Sequence, residues 1–282
     1  MIKDDKMVQQ TIKDVQNKIL DTMKFIDEIC RNNNIVYYIM GGTALGAVRH
    51  GGFIPWDDDL DIFMTTQNYI KFKSVFRQLN NDKFILQEWR IHDNYLEYAK
   101  VRMNGTTFIE DAFKDCKDMH HGIYVDIMIL HKCPNNRLIQ KSIYYASKYV
   151  TLVALSQRRW KPKTKFQEIA LMAVKMLPNK FIAHQCYNLI YKYENLYTNY
   201  LYCYFITKAK FTQGIFEKDI FDYPVDVSFD DTVLMGPADI KKYLKYRYGD
   251  YMKLPSKEEQ KAAVHAEIFN TEIGFEEYIK SK

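Results

Sequence analysis

The run GIYVDIMIL, residues 122–130, sets the hardest condition on how this chain can fold. Its apolar and β-branched residues describe a strand, yet Asp126 stands alone among Ile, Tyr, Val and Met. An isolated carboxylate in such a setting is costly unless a cation or hydrogen bonds compensate it. The fold therefore has to bring a partner to Asp126. A buried acid satisfied by backbone hydrogen bonds is the plain alternative to a functional one.

A second group of acids points to a cation. The stretch IPWDDDLDIFM places Asp57, Asp58, Asp59 and Asp61 within five positions, and LDIFM (60–64) reads as a strand. Side chains alternate along a strand, so Asp59 and Asp61 project to one face while Leu60 and Ile62 enter the core. Two hard oxygen ligands held in this way suit Mg²⁺, or Mn²⁺ in its place, and Asp126 is the natural third ligand. Asp58 and Asp57 are candidates to assist with metal or substrate, with a solvated turn as the rival.

Upstream, five of the 11 glycines (41, 42, 46, 51, 52) fall in GGTALGAVRHGG. Gly41 and Gly42 follow the apolar run IVYYIM (35–40), and Thr43 could cap a short helix, ALGAVR. Glycines before a helix start let backbone N–H groups approach a phosphate. Clustered acids beside such a cradle suit in-line displacement at phosphorus, where cations neutralise the transferring group. Arg49 and His50 in the same loop are candidates to meet phosphate. Lys100 and Arg102, two apart on a strand, share a face; they either neutralise donor phosphate or form a cross-strand ion pair.

Elsewhere the patterns are mixed. Val8, Ile12, Val15, Ile19, Met23, Ile26 and Cys30 recur at three- and four-residue steps, predicting a helix over 8–30 that NNN (32–34) stops. A helix over 67–79 and strands at KFILQEW, LEYAKVRM and TTFIE follow. Residues 136–198 are helical in pattern with breaks near Pro162 and Pro178. VDVSF and TVLM return to strand, and GPADIKKYLKYRYG has Pro237 and Gly249 at its helix ends. These patterns predict an α+β fold: a mixed sheet flanked by helices (1–135), a helical basic region (136–213), and a C-terminal segment packing back on the core (214–282).

The five cysteines carry no Cys-x-x-Cys spacing, so neither zinc nor a disulfide framework is expected, and the setting reads as reduced and cytoplasmic. No N-terminal run has the character of a signal peptide. The net charge of +5 is unevenly spread. Between Arg137 and Gln213, thirteen basic residues face only Glu168 and Glu194, with ten tyrosines interleaved. Such a block reads either as a surface for something anionic or as an ordinary solvated helical face.

The stretch GGTALGAVRHGGFIPWDDDLDIFM resembles the signature of the LicD family, which is similar to fukutin-type proteins and falls in the nucleotidyltransferase-like superfamily. The matching positions are Gly41, Gly42 and Thr43, then Asp59 and Asp61, then Asp126; KVRMNGTTFIED, HGIYVDIMIL and YGDYMKLP resemble later blocks. The resemblance implies a nucleotidyltransferase-like sheet core. It also implies transfer of a phosphorylated alcohol, phosphocholine from CDP-choline above all, to a hydroxyl of a teichoic acid or lipopolysaccharide-type precursor. The acceptor is expected to be lipid-linked at the inner face of the cell membrane, where the basic block would contact anionic lipid peripherally. Ribitol phosphate, glycerol phosphate or nucleotidyl transfer are alternatives within the same chemistry. A non-catalytic module binding nucleic acid or membrane ranks below them, because all three acids are retained.

Overall fold

The computed structural model describes residues 10–88, 98–116, 119–158, 162, 164–177, 179–198, 201–205, 209–261 and 265–280. The N-terminal periodicity forms α1 (Ile12–Asn32), started by a reciprocal cap between Thr11 and Asp14 and buried along Val15, Ile19, Met23, Ile26 and Cys30. Val8 lies outside the described residues. The chain then gives β1 (Tyr38–Ile39), α2 (Gly41–His50), β2 (Asp61–Thr65), α3 (Thr66–Gln78), β3 (Phe84–Gln87), β4 (Ala99–Met103), β5 (Thr107–Glu110) and β6 (Tyr124–Lys132).

Five of these strands lie in the order β1-β2-β6-β4-β3. β2 runs parallel to β6, while the other three pairings are antiparallel, so the sheet is mixed. The parallel pairing has a consequence for the acids: it sets Asp61 directly beside Asp126. Strand β2 begins at Asp61 rather than Leu60, so Asp59 belongs to the irregular approach and not to the strand itself. Trp89, at the end of the predicted KFILQEW strand, lies outside the described residues.

The basic region folds into α4 (Arg137–Ser156), α5 (Lys165–Lys175) and α6 (Asn179–Tyr191), broken where the prolines predict. Within that region the helical pattern gives way to β7 (Leu201–Cys203), which pairs with the far end of β6, and past it β8 (Ile215–Glu217) pairs with β7. A hairpin of β9 (Val225–Phe229) and β10 (Thr232–Gly236) precedes α7 (Ile240–Tyr248), then α8 (Lys257–Lys261), β11 (Ala266–Asn270) and α9 (Phe275–Lys280). One cluster of buried apolar side chains takes Ile26 and Ile127 from the first segment, Ile143 and Tyr187 from the second, and Leu234 and Tyr243 from the third. The C-terminal segment returns through β11, which pairs with β5 in a separate two-stranded sheet. All five cysteines are free thiols.

Candidate active site

Sheet register builds the centre of the site. On β4, β6 and β2 the residues Lys100, Asp126 and Asp61 are successive neighbours across the sheet, and Gln87 of β3 continues the row. Adjacent strands lie about 4.8 Å apart, so one line of side chains carries a cation between polar groups. Lys100 is 2% exposed. Its Nζ lies 2.8 Å from Asp126 Oδ1, 3.9 Å from Glu110 and 3.4 Å from the centre of the Tyr124 ring. The cross-strand ion pair is thus present, and Asp126 has the partner that its apolar strand demanded.

The start of α2 closes one side. Gly41 has φ +54°, a conformation few side chains tolerate, and its N–H donates to Tyr243 Oη at 2.9 Å. A Cβ on Gly41 would lie 3.2 Å from Asp61 Oδ2, and one on Gly42 only 2.7 Å from Asp57 Oδ2. The glycine pair therefore lets two carboxylates approach the positive end of a helix. Thr43 does not point at the cavity: its hydroxyl accepts the amide of Asp61 at 2.8 Å and fixes the entry to β2. Gln16 of α1 steadies the intervening loop by donating to the carbonyls of Ile54 and Asp57.

Asp58 is turned away from its neighbours. It is buried and accepts the amides of His265 and Ala266 at 2.8 Å each and His265 Nδ1 at 2.9 Å. It anchors the C-terminal segment to the acidic loop, and it brings His265 to within 3.6 Å of Asp59 Oδ2. His265 is consequently raised to about 10, first by its hydrogen bond to Asp58.

Asp59, Asp61, Asp126, Lys100, Gly41 and Gly42 line one cavity of about 410 Å³, together with Glu110, Arg158, Arg247, Tyr248 and His265. Burial and mutual repulsion hold Asp57, Asp59, Asp61 and Asp126 above the usual carboxylate range. Asp57 is pushed up to about 8 by burial and then by Asp59. Asp61 is pushed well up by burial, with Asp59 and Asp126 adding to it. Asp126 rises to about 6, burial being partly offset by Lys100. Crowded, desolvated carboxylates are the donor set a hard divalent cation relieves, and all of them offer oxygen. As placed, no three His, Cys, Asp or Glu side chains among the described residues enclose a single ion. Asp126 is engaged by Lys100 instead.

The other candidates from the sequence lie further out. Arg49 donates to the carbonyls of Tyr251 and Lys253, and His50 is exposed with its ring edge-on to Trp56. Arg49 lines a second cavity of about 590 Å³ that shares Gly42 and Tyr248 with the first and adds Trp56, Asp57, Asp250, Tyr251 and Glu259. Arg102 shares the face of Lys100 but donates to Gln87 Oε1 at 2.6 Å and to the carbonyl of Gly122 at 2.8 Å, outside the cavity lining. Sequence reasoning missed His265, Arg247 and Tyr248. YGDYMKLP, which starts at Tyr248, was the available signal.

Residues 34–149 match the family model described as LicD/FKTN/FKRP, nucleotidyltransferase domain. Over 261 residues the chain is 27% identical to the lipopolysaccharide cholinephosphotransferase LicD of Haemophilus influenzae, covering 90% of this chain and 96% of that protein. It is 41% identical over 130 residues to an uncharacterized protein of Rickettsia typhi, or 45% of this chain and 37% of the relative. A shorter match of 42 residues at 38% identity, 15% of this chain and 8% of the relative, joins it to the human ribitol 5-phosphate transferase FKRP. Gly41, Gly42, Asp59, Asp61 and Asp126 all lie inside the segment that matches the LicD/FKTN/FKRP nucleotidyltransferase domain model.

Proposed function

We propose that this protein is a phosphotransferase moving phosphocholine from CDP-choline to a hydroxyl of a cell-surface glycan precursor, on a nucleotidyltransferase-like core. The observation that carries the reading is the meeting of Asp61, Asp126 and the Gly41-Gly42 helix start around one cavity. A divalent cation, Mg²⁺ or Mn²⁺, would be held by Asp59, Asp61 and Asp126 and would neutralise charge on the donor diphosphate. In the transfer, the acceptor hydroxyl oxygen bonds to the choline-bearing phosphorus as the phosphorus–oxygen bond to CMP breaks. Asp126, pushed to about 6, accepts the hydroxyl proton. Lys100, Arg247 and His265 face the cavity as fixed positive charges for the departing nucleotide.

The second cavity supports choline as the transferred headgroup. A quaternary ammonium donates no hydrogen bonds and is held by aromatic faces and carboxylates. Trp56, Tyr248, Tyr251, Asp57 and Asp250 supply both, across Gly42 from the acidic centre. A second reading, transfer of ribitol phosphate from its CDP ester, is favoured by the short match to the human ribitol 5-phosphate transferase.

The test is to supply purified protein and Mg²⁺ with CDP-choline, CDP-ribitol or plain nucleoside triphosphates, together with glycan acceptor. CMP release from CDP-choline, lost in Asp59→Asn and Asp61→Asn, is the expected result. Normal turnover in those isosteric variants would overturn the site. Pyrophosphate from triphosphates would replace the reading with nucleotidyl transfer, and Trp56→Ala should raise KM for CDP-choline more than for CDP-ribitol.

A further inference from the structure

Helix α5 is apolar on two faces, and the described residues cover only one of them. Leu171 and Val174 are buried where α5 meets α4. On the other side Phe166, Ile169, Met172 and Met176 recur at helical spacing and are 81%, 64%, 59% and 87% exposed. Leu177 and, on α6, Phe181 extend the same patch. Scattered exposed apolar residues need no explanation, but a contiguous stripe marks an interaction surface. Exposed Lys165, Lys175 and Lys180 border it, with Glu168 the acid within this stretch.

We infer that α5 and the first turn of α6 dock in the plane of an anionic membrane surface, the apolar stripe entering the headgroup–acyl boundary and the lysines meeting lipid phosphates. Charge decides between the two simplest occupants. A second copy of this chain, meeting face to face about a twofold axis, would set the same lysines against each other. An anionic lipid surface complements them. At 11 residues α5 lies on a membrane rather than crosses it, and no helix among the described residues is long and apolar enough to span one.

The placement also serves the site. Thr151, Leu155 and Arg158, at the end of α4 and just past it, line the catalytic cavity, and α5 follows after a short connection. Docking α5 therefore brings that cavity wall to the lipid headgroups. The inference stands whether or not the transferred group is phosphocholine.

Vesicle flotation tests it with the full chain. Vesicles of phosphatidylcholine mixed with phosphatidylglycerol should carry the protein up the gradient, and phosphatidylcholine alone should not. Removing charge at Lys175→Gln or Lys180→Gln should weaken binding about fivefold each, the equivalent of about 1 kcal/mol per basic residue at such a surface. Added salt should weaken it further. Phe166→Ser with Met176→Ser should abolish flotation while leaving the melting temperature in place, because both residues are exposed. If that pair does not fold, Phe166→Trp gives the independent readout: emission gained over the parent should shift to the blue on anionic vesicles. No flotation, or equal binding to both vesicle types, overturns the inference. So does a concentration-dependent blue shift without lipid alongside a dimer mass, which would assign the stripe to a second copy.

Discussion

Asp58→Ala separates an anchoring carboxylate from a ligating one, although four aspartates lie within five positions of each other. Asp58 accepts two backbone amides, from His265 and Ala266, and the His265 ring. Its removal leaves those two amides unpaired at about 1–3 kcal/mol each. The expected loss is about 4 kcal/mol, or a fall in melting temperature of about 8–12 °C for a chain of this size. The His265 pair gives a second signature. Its folded value of about 10 lies above the ordinary histidine value of 6.5, so its contribution is fully present below that ordinary value and is lost as pH rises through the folded one. Because the ring is nearly half exposed, solvent screening reduces this to about 1–2 kcal/mol. Thermal stability from about pH 6 to pH 10 should fall more steeply in the parent than in Asp58→Ala. A variant that melts within about 2 °C of the parent yet loses its response to Mg²⁺ would refute the anchoring role and make Asp58 a ligand.

Three further outcomes follow from the same geometry. Asp57, Asp61 and Asp126 hold protons in the folded state that the unfolded chain releases above about pH 4, so the metal-free protein should lose stability as pH rises from about 4 to 8. Mg²⁺ should then raise the melting temperature more at about pH 8 than at about pH 5, and an equal shift would count against the acidic centre as its site. Lys100→Met strands Asp126 and should cost about 3–5 kcal/mol near neutral pH, with recovery on acidification as Asp126 protonates; flat melting curves across pH would contradict the pair. Gly42→Ala pushes a methyl toward Asp57 and should lower kcat/KM about 10- to 100-fold with little change in melting temperature.

Periodicity and chemistry made much of this legible. The apolar steps of α1, the strand around Asp126 and the proline breaks of the basic region are local patterns, and local patterns are what a sequence displays. The convergence of Asp61 and Asp126 was inferable because a lone acid in an apolar strand needs company. What stayed hidden depends on partners distant in sequence. Asp58 looked like a member of the acidic set, but its donors come from His265 and Ala266, 207 and 208 positions away. Thr43 looked like the cap of a short helix, whereas α2 starts two residues earlier at Gly41 and the Thr43 hydroxyl is spent on the Asp61 amide. Lys100 and Arg102 share a face as alternation requires, yet only the folded sheet shows that one pairs with Asp126 while the other donates across to Gln87. The stripe on α5 was readable at three- and four-residue steps; its exposure was not, since a buried helix carries the same spacing.

The row joining Gln87, Lys100, Asp126 and Asp61 also governs how the sheet can assemble. A slip of one residue between β4 and β6 would set Lys100 against Val125 or Ile127 and turn its ammonium to the opposite face, stranding a charge in hydrocarbon. The slipped sheet is penalised at once by two orphaned ions, long before any substrate is present. The residues proposed for the chemistry thus also proofread strand alignment while the chain folds.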